Sequence, residues 1–121
     1  MNIGQLEAAL GMTRANIRFY EKEGLLSPTR SENGYRDYTG SDLDTLRRIK
    51  LLRQLQFSLE DIRAMQTGAL DLPAALRQQE ARLQRRADDL DAARALCRTM
   101  EADGVQYRDL NAGKYLEEMV R

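Results

Sequence analysis

The chain has 121 residues, a formal net charge of +0 and one cysteine, Cys97. This length fits one domain, or one small domain with an extension, and 42% hydrophobic against 31% charged residues suits a soluble, helix-rich fold with a modest core. An internal disulfide is excluded, no charged segment followed by an apolar run marks a signal peptide, and no apolar run approaches the ~18 residues of a membrane span, so a cytoplasmic protein with no membrane partner is expected. With no excess of cations overall, a nucleic-acid binder would have to concentrate them locally.

Ile3, Leu6 and Leu10 recur at i, i+3 and i+7, the buried stripe of a first helix, with Gly11 just past its end. Thr13 is a good N-cap for a second helix, TRANIRFYEKEGLL, which Gly24 can close. In that helix Arg14, Arg18 and Lys22 are four residues apart and share one face, whereas Ile17 and Tyr20 fall on another. Two short helices joined by a glycine-containing turn make a helix-turn-helix, a unit that also recurs in proteins that do not touch DNA. RSENGYRDY follows, and Asn33-Gly34 is the strongest short signal for a hairpin turn. A small hairpin at this place is a wing.

Ser41-Asp42-Leu43-Asp44 starts a third helix with a serine cap, and Leu43, Leu46, Ile49, Leu52 and Leu55 form its apolar face. Ser58 with Asp61 three residues on starts a fourth, which buries Ile62 and Met65 and ends at Thr67-Gly68. Leu72-Pro73 opens a long segment with Asp71 as a plausible cap. From Ala74 to Ala102, about 43 Å of helix at 1.5 Å per residue, there is neither glycine nor proline. Leu76, Leu83, Leu90 and Cys97 are spaced by seven along it, a heptad seam that asks for a second copy; the alternative is a long solvated helix packed on its own domain. Asp103-Gly104 breaks the helix, and Tyr107, Leu110, Tyr115, Leu116 and Met119 suggest a tail helix folding back. The expected architecture is mostly α, with a helix-turn-helix unit and wing over 1–68, a dimerisation helix over 69–102 and a tail over 103–121.

IGQLEAALGMTRANIRFYEKEGLL, RSENGYRDY and DLDTLRRIKLLRQLQFSLEDI, in this order from Ile3 to Met65, strongly resemble the MerR family of bacterial transcription regulators. The resemblance implies a winged helix-turn-helix and an antiparallel coiled-coil dimer. It also implies binding to a near-palindromic promoter, where such regulators twist and bend an overlong spacer so that RNA polymerase finds its elements in register. Glu7 departs from the family, which usually has a small residue there, so a looser helix–helix contact or a small rotation is expected. The family's metal and iron–sulfur sensors use cysteines that this chain lacks, and it has no histidine. No metal and no cofactor are therefore expected.

The resemblance places the helix after Thr13 in the major groove. Arg14 and Arg18 are the candidates for base edges or phosphates, because the arginine fork matches guanine O6 and N7. Thr13 and Ala15 lie near enough for phosphate and thymine-methyl contact. Tyr20 packs with its ring and offers its hydroxyl to phosphate, Phe19 either packs on the wing or touches DNA, and Lys22 is either a distant phosphate contact or a solvated charge. Tyr35 and Arg36 match the family's backbone-contacting wing positions, the alternative for Arg36 being an ion pair with Asp37 or Glu32, while Tyr38 packs the wing. Cys97 is read as a small apolar seam residue. Tyr107 and Tyr115 mark either a pocket for a small apolar or aromatic effector or a tail that clamps the dimer. Two other classes stand beside a DNA-binding regulator: an accessory module whose helix-turn-helix binds protein, and an enzyme, against which the lack of histidine, phosphate loop and paired carboxylates argues.

Overall fold

A computed structural model describes residues 1–30, 34 and 36–120. Its elements are α1 (Ile3–Leu10), α2 (Arg14–Lys22), β1 (Thr29–Arg30), β2 (Arg36–Asp37), α3 (Gly40–Gln54), α4 (Leu59–Thr67), α5 (Leu72–Asp103), a 3-10 turn (Tyr107–Asp109) and α6 (Ala112–Val120). They form two compact units, Met1–Leu72 and Pro73–Arg121.

In the first unit, α1 opens with a reciprocal cap that the pattern above did not include. Asn2 Oδ1 accepts the Gln5 N–H at 2.9 Å, and Gln5 Oε1 accepts the Asn2 N–H at 2.8 Å. Gly11 takes the left-handed conformation, φ +62°, and turns the chain from α1 into α2. Thr13 Oγ1 accepts the Asn16 N–H at 3.2 Å and starts α2, as its place before the helix predicts. Leu6, Leu10, Ile17, Leu25, Leu26, Leu46, Ile49, Phe57 and Ile62 are buried and supply the core. Full burial of such a side chain contributes about 1.5–3 kcal/mol, so this packing outweighs the intrinsic helicity of segments as short as α1 and α2. Ile3 and Met65 are only half-buried.

The wing is a two-stranded antiparallel ladder pairing Thr29 with Asp37 and Arg30 with Arg36. Gly34 has φ +84°, as the turn requires, while Glu32, Asn33 and Tyr35 lie outside the described residues. The third helix starts earlier than predicted. Its cap is Thr39, not Ser41: Thr39 Oγ1 accepts the Asp42 N–H at 3.1 Å, and Asp42 Oδ2 accepts the Thr39 N–H at 2.9 Å. The buried Tyr38 ring, 2% exposed, ends the wing, so the chain turns into helix at the next residue. Ser58 caps α4 through the Asp61 N–H at 3.1 Å, and Gly68, φ +80°, ends it.

In the second unit, α5 has 32 residues, about 48 Å of helix. Gly104, φ +66°, breaks it, and the chain continues through the 3-10 turn into α6. Tyr115 is buried, whereas Leu116 and Met119 remain exposed on α6.

Candidate nucleic-acid interface

The two faces of α2 separate as the spacing predicts. Ile17 is fully buried and Tyr20 is 9% exposed, while Thr13, Arg14, Ala15, Asn16, Arg18, Phe19 and Lys22 face solvent. Phe19 is 43% exposed, with its ring centroid 5.6 Å from that of Tyr20, and so belongs to the rim of the exposed face. The Tyr20 ring is packed, as expected.

Arg14 is not a loose cation. Glu7 Oε1 accepts its Nε–H at 3.1 Å and lies 3.0 Å from its Nη2, while Glu7 Oε2 accepts its backbone N–H at 3.2 Å. Glu7 therefore places negative charge at the positive end of α2 and also holds the arginine fork. The α1–α2 step at Glu7 is tied by charge. Among the described residues, Arg18 and Lys22 have no ion-pair partner. The surface thus presents one oriented arginine and, one and two turns later, two unpaired cations.

Several other cations of this unit are consumed internally. Lys50 Nζ donates to the Leu10 carbonyl at 2.5 Å, closing the C-terminal end of α1. Arg63 donates Nε and Nη2 to the Glu23 carbonyl at 3.1 and 2.7 Å and pairs with the Glu23 carboxylate at 2.8 Å, closing α2. Arg53 donates to the Phe57 carbonyl at 2.8 Å. Cations at helix C-termini complement the macrodipole, so these three serve the scaffold rather than a ligand.

The wing is fastened to α2: the Tyr38 hydroxyl donates to the Glu21 carboxylate, and the Met1 amino group donates to the Tyr38 carbonyl at 2.7 Å. Tyr38 is thus the packing residue expected. The Asp37 carboxylate accepts from the Met1 amino group at 3.2 Å. Arg36 lies on β2, and Tyr35 is outside the described residues. Asn16 was missed by the sequence reading. It stands on the exposed surface of α2, and a side-chain amide there has the donor and acceptor that adenine N7 and N6 require. The available signal was an amide in the first turn of α2, on a different side of the helix from Arg14 and Arg18.

On α5, Leu76 is 40% and Leu90 65% exposed, Leu83 is half-buried and Cys97 is exposed. Tyr107 and Tyr115 differ sharply. Tyr107 is 92% exposed and lines no covered surface, whereas the buried Tyr115 donates its hydroxyl to Asp103 Oδ2 at 2.7 Å. Lys114 Nζ lies 3.8 Å from the same carboxylate and 5.2 Å from the Tyr115 ring centroid. The hydrogen bond to Asp103, then burial, then the charges of Asp103 and Glu118 raise the Tyr115 pKa above its ordinary value. A cavity of about 870 Å³ lies in the other unit, with Leu25, Leu26, Leu52, Met65, Leu70 and Arg48 among its lining. Among the described residues no cluster of three or more histidine, cysteine or acidic side chains is placed to hold a metal ion, and no helix is long and apolar enough to cross a membrane.

A family model described as the MerR HTH family regulatory protein matches residues 1–68. The transcriptional regulator HmrR of Rhizobium leguminosarum bv. viciae is 43% identical over 65 residues, covering 54% of this chain and 50% of HmrR. The heavy metal-dependent transcription regulator 2 of Rhizobium meliloti (strain 1021) is 42% identical over 66 residues, covering 54% of this chain and 45% of that protein. The chain thus spans about half the length of the curated relatives it matches. Among solved structures, HiNmlR, a regulator lacking the sensor domain and bound to promoter DNA, is similar with a TM-score of 0.57 and 28% identity, covering 86% of this chain and 90% of that one.

Proposed function

The chain belongs to the MerR family of helix-turn-helix regulatory proteins, and from that premise we propose that it is a DNA-binding transcription regulator rather than an enzyme, acting as a cytoplasmic homodimer that reads promoter DNA with α2 and distorts it for RNA polymerase. One observation carries the reading of α2: buried Ile17 and Tyr20 anchor a helix whose exposed face shows Arg14 held by Glu7, with Arg18 and Lys22 lacking an ion-pair partner among the described residues. We assign base reading to Arg18, with Arg14 one turn away on the same face and Asn16 on another side of the helix. Thr13, Ala15 and the Tyr20 hydroxyl would approach the backbone and thymine methyl groups, and Tyr35 and Arg36 on the wing would take phosphates. Phosphate contacts set register and base contacts set sequence. The exposed Leu76, Leu90 and Cys97 and the half-buried Leu83 favour pairing of two α5 helices over a solvated single helix. Functionally this corresponds to a reader over 1–68, a dimerisation helix over 69–102 and a tail over 103–121.

One relative is named for dependence on heavy metal. Our reading for these residues is different, because a chain with one cysteine and no histidine has few soft ligands to offer. For the tail, the bond from Tyr115 to Asp103 favours a clamp on the end of α5 over an effector pocket shared by Tyr107 and Tyr115.

A titration of its promoter DNA at stepped salt concentration tests the function. Binding should weaken steeply as salt rises, since each phosphate neutralised releases counterions. Arg18→Ala should cost ~1–3 kcal/mol on operator DNA and lower the ratio of operator to random binding. Arg36→Ala should weaken both about equally. An unchanged ratio in Arg18→Ala removes its base-reading role. Failure to bind DNA at any salt would instead favour the protein-interaction module.

A further inference from the structure

Within α2 the sequence RANIRFYEK holds one acid, Glu21, with Arg14, Arg18 and Lys22. Two physical costs attend a carboxylate at this place. It stands in the last turn of the helix, where the macrodipole disfavours negative charge, and it lowers the positive potential of the element proposed to meet phosphate. Glu23 stands at the C-cap of the same helix, and its charge is matched by Arg63 at 2.8 Å. Glu21 is half-buried and reaches the wing instead, where its carboxylate accepts the Tyr38 hydroxyl. A hydrogen bond to a charged acceptor is stronger than a neutral one. Tyr38 holds the end of the wing in two further ways. Its ring is buried, and its main chain pairs with Met1 in both directions, the N–H donating to the Met1 carbonyl at 2.8 Å and the carbonyl accepting from the Met1 amino group at 2.7 Å. The bond between Glu21 and Tyr38 thus joins two elements close to their proposed DNA contacts. Glu21 lies three residues, less than one turn, after Arg18, and Tyr38 lies two residues after Arg36.

We propose that Glu21 is a positioning residue for DNA binding: through Tyr38 it holds the wing at a fixed reach from α2, so that one docking brings Arg18 to base edges and Arg36 to phosphate. The inference rests on the DNA-reading function proposed above and adds the residue that couples its two contact elements. Glu21 itself does not touch DNA; it acts through Tyr38. Two contact elements on one rigid body act together, because the first contact already supplies the position of the second. A wing free to swing must be ordered on binding, and that ordering subtracts from affinity. The strands β1 and β2 have two residues each, and a two-stranded hairpin alone is marginal in water, so the wing needs an outside anchor to keep its direction. The buried Tyr38 ring sets how deeply the wing is seated, and the hydroxyl bond to Glu21 sets its angle to α2. This coupling accounts for an acid on a helix whose other charges are all positive.

A double-mutant cycle on the full chain tests this, read on a duplex that the wild-type chain selects from a random-sequence pool. Tyr38→Phe keeps the buried ring and the main-chain pair with Met1 and removes the hydroxyl. It should weaken binding about tenfold and reduce the slope of log K against log salt by about 1 per protomer, as Arg36→Ala should. With the wing already released, Arg36→Ala added to Tyr38→Phe should weaken binding by no more than about twofold further. Glu21→Ala, which removes the acceptor, should show the same lack of additivity with Arg36→Ala, and the cycle is read from it if Tyr38→Phe melts below the assay temperature. Glu21→Gln keeps an acceptor for the hydroxyl and should stay within about threefold of wild type. A bond that only stabilises the fold would lower the melting temperature and leave the two losses multiplicative, about a hundredfold in the double variant. That result, or wild-type affinity and salt slope in Tyr38→Phe, overturns the positioning role while DNA binding stands. A wild-type chain that selects no duplex at any salt overturns the DNA-reading function and the positioning role with it.

Discussion

Glu7 lies at the step between α1 and α2, where its carboxylate accepts the Arg14 backbone N–H and guanidinium together. The two roles are separable by substitution. Glu7→Ala removes an acceptor at a helix start, which costs about 1 kcal/mol, or roughly 4–8 °C in the melting temperature of a unit this size. It also releases the Arg14 fork and deletes a negative charge beside the proposed DNA-contacting face. Affinity for random DNA should therefore rise while the ratio of operator to random binding falls. Glu7→Gln keeps an acceptor for the backbone N–H but not the ion pair, so it should recover most of the melting temperature and little of the ratio. If both variants melt like wild type and keep its ratio, Glu7 is a bystander.

Among the elements, what was legible followed the range of the interaction. Caps act within three residues, so the starts at Thr13 and Ser58 and the ends at Gly11 and Gly68 could be read directly. Ser41-x-x-Asp44 offers the same short pattern as Thr39-x-x-Asp42. The choice between them was made by Tyr38, whose burial against α2 is not visible in a local pattern. The sealing roles of Lys50 and Arg63 are not visible in a local pattern, because the carbonyls they seal lie 40 positions earlier. Tyr107 and Tyr115 flank one helix break and read alike, yet depth is a tertiary property, and only Tyr115 is covered. That cover yields a pH prediction. The raised Tyr115 pKa means the folded tail holds this proton more tightly than an unfolded one. The stabilisation is fully present below the ordinary tyrosine value of about 10 and is lost as pH rises through the raised folded value. Tail docking, followed by proteolysis after Asp103, should loosen in that alkaline window. Tyr115→Phe should loosen it already at neutral pH and remove the alkaline step. An unchanged cleavage rate in Tyr115→Phe would show that the bond to Asp103 does not hold the tail.

For the molecule as a whole, the first unit is knit by bonds of long sequence reach. Arg63 meets Glu23, Lys50 meets Leu10 and Gln66 donates to the Leu25 carbonyl at 3.0 Å. This has a consequence for biosynthesis. As the chain leaves the ribosome, α1 and α2 emerge first, but the side chains that close their ends are still inside the exit tunnel. The exposed surface of α2 is therefore completed only after Gln66 is free, and a nascent chain arrested before that point carries its arginines on frayed helices. A purified fragment of residues 1–39 should show little helical circular dichroism and bind DNA without sequence preference, whereas a fragment of residues 1–72 should recover the helicity of the unit. A helical, selective 1–39 fragment would mean that the reader matures on its own, ahead of the helices that seal it.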